Sequence, residues 1–194
     1  MSPSRREVVR LALAASTLAA LGGRAGAQPA LPPTPACGSE AASTPPQTEG
    51  PFFTPASPER ASLLEPGVAG ARLVVSGVVR GRDCRPLPRV LLDFWQADGL
   101  GRYDTAGQRL RGHQFTDGEG RYRLETVLPG VYPGRTRHIH VKAQAPGARG
   151  LTTQLYFPGE PANARDGLFD PALLVALAEP GSARFDFVLD VRAS

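Results

Sequence analysis

The sequence predicts an all-β protein: a β-sandwich of short mixed strands with long loops and one short helix near the C-terminus. Three observations carry this reading. The 194 residues include 22 Gly and 20 Pro, a density of turn formers that leaves little room for long helices. From Arg72 onward, short apolar or β-branched runs follow one another between Gly/Pro/Asp clusters, as in a sandwich or barrel. The last run sets Phe185, Phe187, Leu189 and Val191 against Arg184, Asp186, Val188 and Asp190, the two-residue period of a strand with one buried face.

Taken in order, the chain begins with an address rather than a fold element. Arg5 and Arg6 precede the apolar stretch Leu11 to Leu21, which ends in Ala25-Gly26-Ala27. Charged start, short apolar core and small-residue cleavage site predict a signal peptide over residues 1–27, and the paired arginines predict twin-arginine export to the periplasm or beyond. The apolar stretch is short of the ~20 residues a membrane span needs, so no membrane association is expected after cleavage. Residues 28–48 are rich in Pro, Ala and Thr and read as an extended arm pinned only by Cys37, and residues 49–194 read as one domain. Ser57 to Leu64 has room for one helical turn. The predicted strands are Leu73–Val79, Val90–Gln96, Tyr122–Glu125, His138–Ala145, Leu151–Phe157 and Arg184–Val191. Pro171 to Glu179 is the predicted helix, with Asp170 as N-cap, Pro171 in the first turn and Pro180-Gly181 as the stop.

The formal net charge of +4 is mostly that of the first segment, where four arginines face one glutamate. The rest of the chain lacks the basic footprint of a nucleic-acid partner. The chain has two cysteines, Cys37 and Cys84, and an isolated pair in an oxidising compartment is expected to form a disulfide.

His138-Ile139-His140 opens a predicted strand. Alternation puts His138 and His140 on one face and Ile139, Val141 and Ala143 on the other, so two imidazoles can chelate one metal. The motif alone fits surface or hydrogen-bonding roles equally well. No acidic residue follows His140 until Glu160, which disfavours a compact His/carboxylate site. His113 as a third imidazole would make a zinc-like site. Tyr103 and Tyr132, each in a Gly-rich loop, are the other candidates. A phenol, with a pKa near 10, becomes a good ligand only to a strongly Lewis-acidic ion such as ferric iron.

Longer motifs surround these residues. Asp93-Phe94-Trp95-Gln96-Ala97-Asp98 with Gly101-Arg102-Tyr103 resembles the first iron-ligand segment of the intradiol ring-cleavage dioxygenases. The stretch Thr116 to Tyr122, continued through Pro129-Gly130-Val131-Tyr132-Pro133-Gly134-Arg135, resembles the second. Arg135-Thr136-Arg137-His138-Ile139-His140 and Thr152-Thr153-Gln154-Leu155-Tyr156-Phe157-Pro158-Gly159 resemble the third and fourth, and Thr48-Glu49-Gly50-Pro51-Phe52-Phe53 resembles the segment ahead of the sandwich.

The resemblance implies a non-haem Fe(III) site with Tyr103, Tyr132, His138 and His140 as ligands, Tyr132 and His140 being axial. It implies that Tyr132 leaves the metal when substrate binds, that Arg135 stabilises negative charge on the substrate, and that Gln154 lies near the oxygen-binding side. The implied reaction opens a catechol-type aromatic diol with O₂ to a muconate-type diacid. The short interval from Tyr132 to His138 and the presence of Arg137 resemble the exported branch of the family. The helical dimerisation segment of the cytoplasmic catechol enzymes has no counterpart, which leaves open whether the chain forms a homo-oligomer. Two rival readings stand beside this one: a non-catalytic, exported transthyretin-like binding module, and a zinc hydrolase using His113, His138 and His140.

Overall fold

Every second residue of Arg72–Gly81 is buried, as expected of a strand with one face on a core. This is β1 of the computed structural model, which describes residues 42–191. The signal segment 1–27, most of the arm 28–48 and Cys37 lie outside the described residues. The strands that follow are β2 (Leu91–Trp95), β3 (Arg111–Phe115), β4 (Arg121–Val127), β5 (His138–Gln144) and β6 (Leu151–Tyr156). Two 3₁₀ turns, Pro161–Arg165 and Pro171–Leu173, lead to β7 (Ala176–Leu177), β8 (Ser182–Arg184) and β9 (Phe187–Leu189).

The strands form two sheets. One runs β4-β1-β8-β7, with β9 also on β1; the other runs β3-β2-β5-β6. β1 pairs in parallel with β8 and β9 and antiparallel with β4, so this sheet is mixed, as predicted. Val75, Val79, Leu124 and Phe187 from the first sheet and Leu92, Phe94, Ile139 and Val141 from the second are fully buried. The inward face of each strand therefore builds the core between the sheets. Gln96 ties the layers: its Nε2 donates to Val127 O at 2.8 Å, and its Oε1 accepts from Thr126 Oγ1 at 2.8 Å.

Four local readings are corrected. The predicted helix Pro171 to Glu179 is one 3₁₀ turn, although Asp170 caps it by accepting from Ala172 N. The chain then extends because Val175 N donates to Tyr156 O at 2.9 Å, and β7 pairs with β8. Ser57 to Leu64 is extended rather than helical, with bridges from Glu59 to His113 and from Ser62 to Glu125. The run Arg184–Val191 is split into β8 and β9. At the break the Phe185 carbonyl would lie 1.8 Å from a Cβ on Gly77, and the Asp186 side chain accepts from Val78 N at 2.9 Å. The described end of the arm is held by backbone hydrogen bonds, where the sequence offered only Cys37 as a pin: Thr44 N donates to Val188 O and Gln47 N to Thr152 O. β3 was not predicted, since Arg-Gly-His-Gln-Phe carries no strand signature of its own.

Candidate metal centre

The four-stranded sheet delivers the histidines. Residue-by-residue alternation in β5 puts Ile139 and Val141 into the core and turns His138 and His140 the other way, each almost fully buried. Trp95, opposite His140 in the β2–β5 ladder, stacks on its ring at 4.8 Å between centroids. His138 Nδ1 donates to Thr136 O at 2.7 Å, which leaves its Nε2 as the lone-pair nitrogen. That Nε2 lies 3.1 Å from His140 Nε2.

The tyrosines arrive on two loops that must touch. Asp98 shapes the first: its carboxylate accepts from Leu100 N and Arg102 N at 2.9 and 3.0 Å, and its carbonyl accepts from Gly130 N of the second loop at 2.8 Å. At Gly101, with φ +78°, a Cβ would meet Val131 O at 2.2 Å, so only glycine permits this approach. Tyr103 and Tyr132 consequently face each other with ring centroids 5.7 Å apart; Tyr132 is 5.6 Å from His138, and Tyr103 is 6.4 Å from His140. Phe52 stacks on Tyr103 at 4.2 Å. Arg111, 2% exposed, donates to Phe52 O and Asp104 O at 2.7 Å each and so ties the pre-sandwich segment to the Tyr103 loop.

These four side chains fit a bound cation. The Tyr103 hydroxyl and His140 Nδ1 are buried without a hydrogen-bond partner among the described residues. With the His140 proton on Nδ1, the two Nε2 lone pairs face each other at 3.1 Å, a repulsion that a cation shared between them relieves. Burial, then the Arg135 cation, hold the His138 imidazole down to about 4; burial, then His138 and Arg135, hold His140 down to about 2. Both rings are therefore neutral at ordinary pH, the form in which an imidazole can bind a cation. Burial, then the facing Tyr132, push the Tyr103 phenol well up, so it ionises only beside a strongly Lewis-acidic ion. Two imidazoles and two phenols suit a hard trivalent metal better than zinc.

His113 does not join them. It stands on β3 opposite Asp93, across β2 from His140, and its Nδ1 donates to Ser57 O at 2.8 Å. Among the described residues no three His, Cys, Asp or Glu side chains converge, so the zinc reading lacks its third ligand.

Arg135 and Gln154 both reach the centre. The Arg135 guanidinium lies 3.5 Å through Nη1 from the Tyr132 oxygen and donates through Nη2 to Gln154 Oε1. Gln154 Nε2 donates to Thr48 O at 3.0 Å, and its Oε1 accepts from Tyr156 Oη at 3.0 Å. Burial pushes the Tyr156 phenol up to about 12, so it remains a donor. Arg137 turns away, donating to Glu160 Oε1 at 2.8 Å and to Pro129 O. A cavity of about 380 Å³ lies beside the centre, lined by Val131, Tyr132, Pro133, Arg135, Ala162 and Asp166.

Sequence reasoning missed Asp166, Tyr156 and Arg111. Asp166 accepts from Arg135 Nε, Thr136 N and Leu168 N. Burial alone would raise its carboxyl, but those N–H groups and the Arg135 cation outweigh it and hold the carboxyl below the usual range. No motif signals it: the side chain follows an irregular 3₁₀ turn and meets Arg135 only in three dimensions.

A family model described as Dioxygenase matches residues 48–190. The protocatechuate 3,4-dioxygenase beta chain of Burkholderia cepacia is 39% identical over 119 residues, covering 52% of this chain and 50% of that one. Among solved structures, the dioxygenase domain of a dioxygenase carbohydrate-binding protein fusion from the cellulolytic bacterium Streptomyces sp. SirexAA-E is 62% identical, with a TM-score of 0.74 over 77% of this chain and 99% of that one. The 3-chlorocatechol 1,2-dioxygenase of Rhodococcus opacus 1CP is 27% identical, with a TM-score of 0.68 over 74% of this chain and 71% of that one. The chain spans about half the length of the curated relatives it matches. The family match across the whole sandwich, with likeness in both sequence and fold, identifies the chain as a member of the intradiol ring-cleavage dioxygenase family.

Proposed function

We propose that this protein cleaves the ring of a catechol-type aromatic diol between its two hydroxyl-bearing carbons, with O₂, using a ferric ion held by Tyr103, Tyr132, His138 and His140. The observation that carries the reading is the convergence of these four side chains around two facing Nε2 atoms and a buried, unpaired phenol oxygen. When bound, ferric iron supplies the Lewis acidity that ionises phenols and makes a bound diol susceptible to O₂.

The protein's own groups then divide the work. The diol must lose two protons, and Tyr132 Oη is placed to accept one, because Tyr132 lines the cavity while the Tyr103 oxygen is buried. Trp95 and Phe52, stacked on His140 and Tyr103, exclude water from the far side. Arg135 holds fixed positive charge beside the Tyr132 oxygen, where negative charge develops on the ring. Gln154 is braced by Thr48 and Tyr156 at the edge of the same space. The succession of basic, apolar and small residues in 1–27 supports twin-arginine export as part of the same reading.

The test is O₂ uptake by the iron-loaded protein with catechol, hydroxyquinol, protocatechuate and chlorocatechols. The expected result is a red protein that consumes O₂ with at least one diol and yields a muconate-type diacid. A colourless protein retaining only zinc, or an iron-loaded one that consumes no O₂ with any of them, overturns the reading.

A further inference from the structure

Arg135 has a long, flexible side chain, and its use beside Tyr132 depends on where its guanidinium points. One group decides this. The Asp166 side chain is 1% exposed, and both its oxygens accept from Arg135 Nε, at 3.2 and 3.0 Å. With Nε engaged from behind, Nη1 and Nη2 are left to face Tyr132, Gln154 and Tyr156. The carboxylate is itself immobilised: Oδ2 accepts from Thr136 N at 2.8 Å and Oδ1 from Leu168 N at 2.9 Å. Glu160, which precedes the 3₁₀ turn leading to Asp166, is paired with Arg137.

We propose that Asp166 is a positioning residue for ring cleavage, acting through Arg135 by aiming its guanidinium at the Tyr132 oxygen and Gln154. Asp166 hydrogen-bonds none of the four side chains proposed to hold iron; it accepts from Arg135 Nε, Thr136 N and Leu168 N. The inference rests on the ring-cleaving function proposed above. The alternative is a purely structural carboxylate that closes the turn after residue 165.

Asp166→Asn separates the two. The amide keeps the size and one acceptor oxygen but presents an NH₂ donor where Arg135 Nε–H needs an acceptor. In the iron-loaded enzyme the variant should bind iron and keep its resting colour, while kcat falls by about tenfold or more and KM moves by less than about threefold. In an Arg135→Leu background the same substitution should lower kcat no further, because the group it aims is gone. Arg135 Nε–H resonances of the metal-free protein give a readout independent of turnover: one slowly exchanging signal in the wild type, lost or averaged in Asp166→Asn. If Asp166→Asn does not fold, Asp166→Glu keeps the charge at a shifted position and should show the same pattern more weakly. Wild-type kcat in the variant, an equal further loss in the Arg135→Leu background, or an unchanged Arg135 signal overturns the proposal. A wild type that cleaves no diol overturns the proposed function instead, and the resonance measurement still decides whether Asp166 positions Arg135.

Discussion

Tyr103 and Tyr132 bring the same phenol into different surroundings, and the roles proposed for them rest on that difference. The Tyr103 oxygen is buried without a partner, whereas Tyr132 lines the cavity with Arg135 3.5 Å from its oxygen. Replacing Tyr132 with Phe should therefore leave iron bound while turnover falls by about two decades or more, the range for losing a positioned proton acceptor. His140→Ala should instead lose the iron, since one of two facing Nε2 donors goes with it. Metal content and steady-state rates of the two variants check this, and full turnover by Tyr132→Phe would refute the base assignment. The histidines also make stability depend on pH in the metal-free protein. Burial depresses both folded-state pKa values, to about 4 and about 2, so the unfolded chain binds protons that the folded chain does not. The associated stability is full above the unfolded value near 6.5 and is lost progressively as pH falls toward 4, with a slope approaching about 1.4 kcal/mol per pH unit per histidine. Denaturation midpoints between pH 4 and 8 test the sign; a midpoint rising as pH drops through that window contradicts it.

At the scale of elements, the centre depends on two loops approaching closely enough for their tyrosines to meet. Gly101 has a left-handed φ and no room for a Cβ beside Val131 O, so Gly101→Ala carries both a backbone and a contact penalty. The expected outcome is a folded sandwich with iron affinity reduced by at least about tenfold, because roughly 1–3 kcal/mol of strain falls on the loop that presents Tyr103. Wild-type iron affinity in that variant would mean the loops adapt independently. That each tyrosine sits in a Gly-rich loop was readable locally, whereas the contact between the loops was not. Nor was the third support: Arg111 ties Phe52 to Asp104 from β3, a strand whose Arg-Gly-His-Gln-Phe sequence is shaped by its neighbours and not by its own propensity.

Across the whole molecule, the N-terminal arm spans both layers before it reaches the centre. Thr44 bonds β9 in one sheet, Gln47 bonds β6 in the other, and Thr48 then accepts from Gln154. Cys84 lies in the turn just after β1, its N–H donating to Gly81 O. A Cys37–Cys84 disulfide, proposed from the sequence, would anchor this strap through a loop of about 47 residues and stabilise the fold by on the order of 3–4 kcal/mol in the chain-entropy account. The measurement is thiol titration of the exported protein, unfolded without reductant: no free thiol is expected, and two free thiols would exclude the bond.

The sheet character, the shared face of His138 and His140, and the Gly-rich loops that carry the tyrosines are legible in local sequence. These follow from alternation along a strand and from Asp/Gly turn chemistry, which act over a few residues. Motif resemblance supplied the expectation that Arg135 and Gln154 belong to the site; in the structure Arg135 Nη1 lies 3.5 Å from the Tyr132 oxygen and Nη2 donates to Gln154 Oε1. Long-range contacts set the rest: the predicted helix after Asp170 is a single turn running into a strand, the C-terminal run breaks at Phe185, His113 stays apart, and Asp166 sits behind Arg135. Each of these depends on a partner far along the chain: Tyr156 for Val175, Gly77 for Phe185, Ser57 for His113 and Arg135 for Asp166. Such pairings arise from packing and from the need to satisfy buried hydrogen-bonding groups, and neither is written in a residue's immediate neighbours.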